Sequence, residues 1–244
     1  MFKEILHIKS SHLHKLLVLF DQGLVSGVNF VVAILLARLL GIENFGLFAF
    51  GWMLVLFASS VQLAFIVSPL FTLYPKHKNA TNYLKGVHSI QLIYSVLTFI
   101  IAFTVIRGVF IYKPEWKIDG VLFSLPLVAA LFVLQDFYRR VNFTLKKPLR
   151  SLISDGIAYG GQPLVLLIFN YLDILSIHNT FLAISSLFTV AILLNLPKLK
   201  FTLEIINIKN TIAENWSFSK YLVGTALLQW VSGNFFLIVA GGLL

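Results

Sequence analysis

Seven stretches of this chain, at about 16–39, 47–73, 87–110, 120–137, 152–172, 175–196 and 221–244, are long, mostly free of charge and filled with Leu, Ile, Val and Phe. About 20 apolar residues in a helix cross the hydrocarbon core of a bilayer. A transmembrane β-strand would be far shorter and would alternate apolar with polar residues. Each run is therefore expected to be a membrane-spanning helix. Composition agrees: 12% of residues are charged, against about 25% in soluble domains, too few to cover a water-facing surface. The chain reads as an all-α integral membrane protein with no soluble domain of useful size.

The basic residues set an expected orientation, because cytoplasmic loops carry the excess of Lys and Arg. With the N-terminus inside, 15 of the 19 fall on the inner side, including Lys76, Lys78, Lys85, Arg139, Arg140, Lys146, Lys147, Arg150, Lys198, Lys200, Lys209 and Lys220. Arg38, Arg107, Lys113 and Lys117 remain outside. This placement accounts for the net charge of +9 as membrane topology and leaves no reason to invoke nucleic acid. The sequons at Asn79, Asn142 and Asn215 all fall on the inner side, where no glycosylation enzyme meets them. Cysteine is absent, so disulfides and thiolate metal sites are excluded. The histidines are scattered, no metal or cofactor is expected, and residues 1–15 read as a basic amphipathic segment lying on the membrane surface.

Polar residues inside the spans carry the functional signal. Gln22, Ser26, Asn29, Ala33 and Ala37 lie on one face of a helix, polar at its start and small thereafter. Gly23 and Gly27 form a GxxxG beside them. Such a face serves either helix packing or the wall of a cavity. Asp155, Tyr159 and Gln162 share a face in a later span, next to Gly160-Gly161-Gln162-Pro163, which is expected to bend the helix. Asp155 is either turned into the bundle or held at the interface by the helix N-terminus. Asp21 and Arg38 lie 17 residues apart, about 25 Å along a helix. They are expected near opposite interfaces, each suited to its end of the helix dipole.

Residues 216–244, WSFSKYLVGTALLQWVSGNFFLIVAGGLL, look like a second start of the first span. A shift of 203 places Thr225, Gln229 and Ser232 on Gln22, Ser26 and Asn29, whereas SGNF at 232–235 echoes SGVNF at 26–30 at a shift nearer 205, so two registers stay open. Six helices followed by a copy of the first predict a six-plus-six transporter, with the substrate site between two lobes.

The stretch DQGLVSGVNFVVAILLARLLGIENFGLFAFGW (21–52) resembles the opening of the polysaccharide and O-antigen flippases, in the multidrug/oligosaccharidyl-lipid/polysaccharide exporter superfamily. The later W-x-F-x-K-Y-L and SGNFFLIVAGGLL resemble the start of that family's second lobe. The resemblance implies alternating access of two six-helix lobes in a bacterial inner membrane, N-terminus cytoplasmic, moving a polyprenyl-diphosphate-linked oligosaccharide to the outer leaflet for polysaccharide, O-antigen and lipopolysaccharide synthesis. Lipid-linked oligosaccharide, membrane lipids and other polysaccharide-assembly membrane proteins are the implied partners. On this reading residues 16–197 form the N-terminal lobe, 198–220 a cytoplasmic linker, and 221–244 the first helix of a truncated second lobe.

The substrate-cavity candidates are Gln22, Ser26, Asn29, Arg38, Asp155, Tyr159, Gln162, Thr225, Gln229 and Ser232, with Asp21 and Asp155 as candidate ion-coupling acids. Amides and hydroxyls suit sugars, and Arg suits phosphate. No Lys or Arg is placed deep in a span, however, so the phosphate contact has no assigned residue. The alternatives are a multidrug or cation antiporter of the same superfamily and a non-transporting membrane subunit. A membrane enzyme is not favoured, because Glu43, Glu115, Asp119 and Asp173 in the short outer loops have no paired spacing.

Overall fold

The structure is a computed structural model that describes residues 2–112, 114, 118–199 and 205–243. Its helices are α1 (Phe2–Leu39), α2 (Gly41–Gln62), α3 (Ser68–Leu73), α4 (Ala80–Tyr112), α5 (Ser124–Thr144), α6 (Pro148–Ala158), α7 (Gly161–Tyr171), α8 (Ile177–Leu199) and α9 (Ile205–Leu243). Among the described residues no strand occurs. Gly41, at φ +79°, makes the corner between α1 and α2, a backbone region that glycine enters at no steric cost.

Five helical segments are long and apolar enough to cross a membrane: Lys15–Leu39, Gly41–Lys76, Ala80–Tyr112, Pro148–Tyr171 and Ile177–Leu196. Their outward faces carry Ile93, Val96, Leu97, Ile100 and Ile101 on α4 and Leu164, Leu167 and Ile168 on α7, all exposed. Apolar surface on that scale needs lipid rather than water against it. The protein is a multi-pass, all-α membrane protein.

Two of the seven expected spans need correction. Residues 120–137 fall largely in α5, which continues to Thr144 and takes in Asp136, Arg139 and Arg140. It does not reach the apolarity of the other five. The reason is its position. α5 packs against α2, α4, α6 and α8, and Val128, Ala129, Val133, Phe137, Tyr138 and Val141 on it are buried almost completely. A helix shielded from lipid by its neighbours need not be apolar all round. Arg139 and Arg140, expected in an inner loop, are thus helical residues, Arg139 buried and Arg140 partly so. The last expected span is the second half of α9, a single 39-residue helix. Residues 205–220, expected as linker, are the first half of that helix.

Two apolar cores lie on either side of α5. One joins α1, α2, α5 and α8 through Val32, Leu36, Val55, Val128, Phe132 and Phe188. The other joins α3, α4 and α5 through Leu70, Val87, Phe137 and Val141. Amide bonds tie the helices between them. Gln62 Nε2 donates to Gln91 Oε1 at 2.8 Å, and Gln91 Nε2 donates to the Val133 carbonyl at 3.2 Å. Such interhelical hydrogen bonds hold helices together where lipid offers no hydrophobic drive.

Candidate functional site

The break between α6 and α7 is written in Gly160-Gly161-Gln162-Pro163. Pro163 has no N–H for the Tyr159 carbonyl, so the Gln162 N–H donates there instead, at 2.9 Å. That leaves the Ala158 carbonyl without its helical donor, and the Gln162 side chain supplies one at 2.8 Å. The bend expected from the sequence is present, and Gln162 is a residue of the bend itself. The freed carbonyl has a partner within the chain.

Just before the bend, Asp155 enters a buried ionic centre. Arg139 Nη2 donates to Asp21 Oδ2 at 2.7 Å, and Arg139 Nε lies 2.5 Å from Asp155 Oδ2. Its Nη1 is 3.9 Å from Asp136, which also faces Arg140 Nε at 3.3 Å. Gln135 Nε2 donates to Asp155 Oδ1 at 2.7 Å, and the Tyr159 hydroxyl reaches Gln135 Oε1 at 3.5 Å. Asp21 and Asp155 are 0% exposed, and Arg139 is 5% exposed. Three helices, α1, α5 and α6, are joined through one guanidinium. With every member ionised, three aspartates and two arginines leave one net negative charge. Charges buried within spanning helices usually pair with one another and mark transport or ion pathways.

This centre corrects two expectations. Asp21 does not face solvent or lipid at its end of α1; it heads the buried face of the helix, followed by Val25, Val32 and Leu36. A cation does lie buried among the helices, and it is Arg139. A signal for the first was present in the sequence. Asp21, Val25, Val28, Val32 and Leu36 repeat at the same helical spacing as the polar stripe, one residue earlier, so an acid there shares the core-facing side and needs a cation. Nothing in the sequence says which one.

The polar stripe itself is on the outside. Gln22, Ser26, Asn29 and Ala33 are exposed, as is Arg38. A Cβ added at Gly23 or Gly27 would meet no atom within 4 Å. Among the described residues this face of α1 is therefore not a packing surface.

α9 supplies a second feature. Pro69 at the start of α3 gives no N–H to the Phe65 carbonyl four residues back, and the chain passes through a π turn at Leu63–Val67. Asn215 of α9 supplies the missing donor, its Nδ2 lying 3.3 Å from the Phe65 oxygen. The Asn215 Oδ1 accepts from the Tyr83 hydroxyl of α4 at 2.8 Å. Asn215 is 0% exposed. On the same stretch Glu214 meets His77 at 3.3 Å, and Gly86 gives room to Thr211, whose side chain an added Cβ would overlap. The first half of α9 is thereby fastened to α2, α3 and α4.

The second half, further along, leaves a groove of about 450 Å³ against α2, the π turn and α3. It is lined by Ser60, Leu63, Ala64, Ser68, Leu222, Thr225, Ala226, Gln229 and Trp230. Two of the candidates from the sequence, Thr225 and Gln229, meet here, with Ser60 and Ser68, which the sequence did not single out. Ser232 is exposed and does not line the groove. The structure thus divides the candidates three ways. Asp21, Asp155 and Tyr159 are in the ionic centre with Gln162 at its adjoining bend, Thr225 and Gln229 are in the groove, and Gln22, Ser26 and Asn29 are on one open face of α1, with Arg38 exposed on another side of the helix. No three His, Asp or Glu side chains among the described residues converge as metal ligands would. No family model, curated protein or solved structure matches this chain.

Proposed function

We propose that this chain is the N-terminal, six-span part of a two-lobe alternating-access transporter, with α9 opening the second lobe, and that it moves lipid-linked oligosaccharide across a bacterial inner membrane. The observation that carries the reading is the open polar face of α1. Gln22, Ser26 and Asn29 stand exposed, while the same helix turns Asp21, Val25 and Leu36 into the body. Polar side chains facing lipid would be costly, so this face suits the wall of a water-filled cavity. Amides and a hydroxyl there suit sugar hydroxyls. The sequence resemblance of 21–52 and 216–244 to the polysaccharide flippases supports the same cargo.

The expected result is that Gln22→Leu with Asn29→Leu in the full-length protein lowers surface polysaccharide export at least tenfold while membrane insertion is unchanged. Unchanged export would show that the stripe does not line the transport path and remove the main support for the reading.

The second reading, a cation antiporter, rests on three aspartates, Asp21, Asp136 and Asp155, gathered around two arginines; with all of them ionised, one surplus negative charge is left for a proton or monovalent cation to balance. Asp155→Asn removes that surplus. On the antiporter reading, dye efflux falls and polysaccharide export does not depend on the gene.

A further inference from the structure

The groove between α2 and α9 has a hydrogen-bonding character that selects its ligand. The Ser60 hydroxyl donates to the Phe57 carbonyl at 2.8 Å, Ser68 to Leu63 at 2.8 Å, and Thr225 to Tyr221 at 2.9 Å. A hydroxyl has one proton and two lone pairs, so all three offer the groove acceptors only. Gln229 adds an amide that both donates and accepts. None of the lining residues is charged. One wall is the Trp230 ring, set edge-on to Phe57 at 4.7 Å, and its Nε1–H is buried without a partner among the described residues.

A phosphate brings only acceptors and wants Lys or Arg, so it is not served here. A bare hydrocarbon chain would bury four polar side chains without replacing their water, which is unfavourable. An ammonium cation could donate to the hydroxyls but would find no countercharge. A group with many hydroxyls matches the polar side chains, donating to Ser60, Ser68 and Thr225 and exchanging bonds with Gln229, while its C–H face lies on the indole and the aliphatic lining. The geometry points to this groove as a binding site for an uncharged glycosyl unit, separate from whatever holds a diphosphate. The assignment rests on the transport reading only for its biological meaning, because the lining selects the ligand by itself.

The test uses the full chain in lipid nanodiscs. Cysteine is absent, so Ala226→Cys places a single thiol on the groove wall. Its labelling rate with a small maleimide is measured against three probes that share a dodecyl tail, each below its micelle-forming concentration: the maltoside, the octaethylene glycol ether and the primary ammonium. The maltoside is expected to slow labelling strongly and the other two weakly. Adding Ser68→Ala and Thr225→Val removes two acceptors with little change of shape, and should raise the protecting concentration of maltoside about tenfold or more. Equal protection by maltoside and ether makes the groove a slot for hydrocarbon and overturns the proposal. Best protection by the ammonium makes it a cation site and does the same, as does no protection by any probe.

The outcome is separable from the flippase reading. If maltoside protects but the Ser68→Ala/Thr225→Val protein exports polysaccharide normally, the site stands and its role in export fails. If the Gln22/Asn29 variant blocks export but no probe protects, the transport reading stands and the groove is not its glycan site.

Discussion

Arg139→Leu destabilises the helical body by about 3–5 kcal/mol, the usual cost of removing one partner from a buried ion pair. The effect is expected at the upper end because one guanidinium serves two carboxylates at once, Asp21 at 2.7 Å and Asp155 at 2.5 Å. Removing it leaves both aspartates buried without a cation and cuts the polar tie that links α1 and α6 to α5. Thermal unfolding of the detergent-solubilised protein, followed by fluorescence-detected size exclusion, reads the loss directly. A second variant separates charge from packing. Asp21→Asn/Arg139→Met/Asp155→Asn removes all three charges at similar volume and should recover most of the stability, since uncharged replacements of a buried ionic group are often neutral or better. If the triple variant is as unstable as Arg139→Leu, the shapes of these side chains matter and their charges do not.

The second large effect is expected at Asn215. Asn215→Leu strands the buried Tyr83 hydroxyl, at about 1–3 kcal/mol, and the part-buried Phe65 carbonyl, at the lower end of that range. The diagnostic is its dependence on Pro69. Pro69→Ala restores a backbone N–H four residues after Phe65, so the carbonyl can be satisfied within the helix and Asn215 becomes partly redundant. The double variant should then be less destabilised than the sum of the two single changes, with a coupling of about 1–2 kcal/mol measured by the same thermal assay. Strict additivity would show that Asn215 does not stand in for the missing N–H. Tyr83→Phe should leave that coupling in place, because it removes the other bond of the same amide.

What was legible in the sequence was what depends on local chemistry. Apolar runs of about 20 residues mark spanning helices by length and composition. Gly160-Gly161-Gln162-Pro163 marks a bend, because proline and glycine act through the backbone within one turn. The polar stripe of α1 was legible too, because helical spacing alone puts Gln22, Ser26 and Asn29 on one side. That they point away from the body was not, because periodicity gives relative direction and no reference to a neighbour. Reading α5 failed for a related reason. Hydropathy compares a helix with lipid, whereas α5 faces other helices. A segment with Asp136, Arg139 and Arg140 therefore looks like a loop beyond the span, whereas it is helical and turns Asp136 and Arg139 against other helices.

By itself, the sequence determined that the chain is helical and belongs in a membrane, where its backbone breaks, and which residues share a face. The tertiary structure alone decided the pairings. Arg139 lies 118 positions from Asp21 in the chain, and Asn215 lies 150 from Phe65. Both contacts exist because packing brings distant helices together at one depth. A buried charge or a stranded carbonyl demands a partner, and that demand can be read from one segment. The partner's identity is set only by which helix face comes to rest against it.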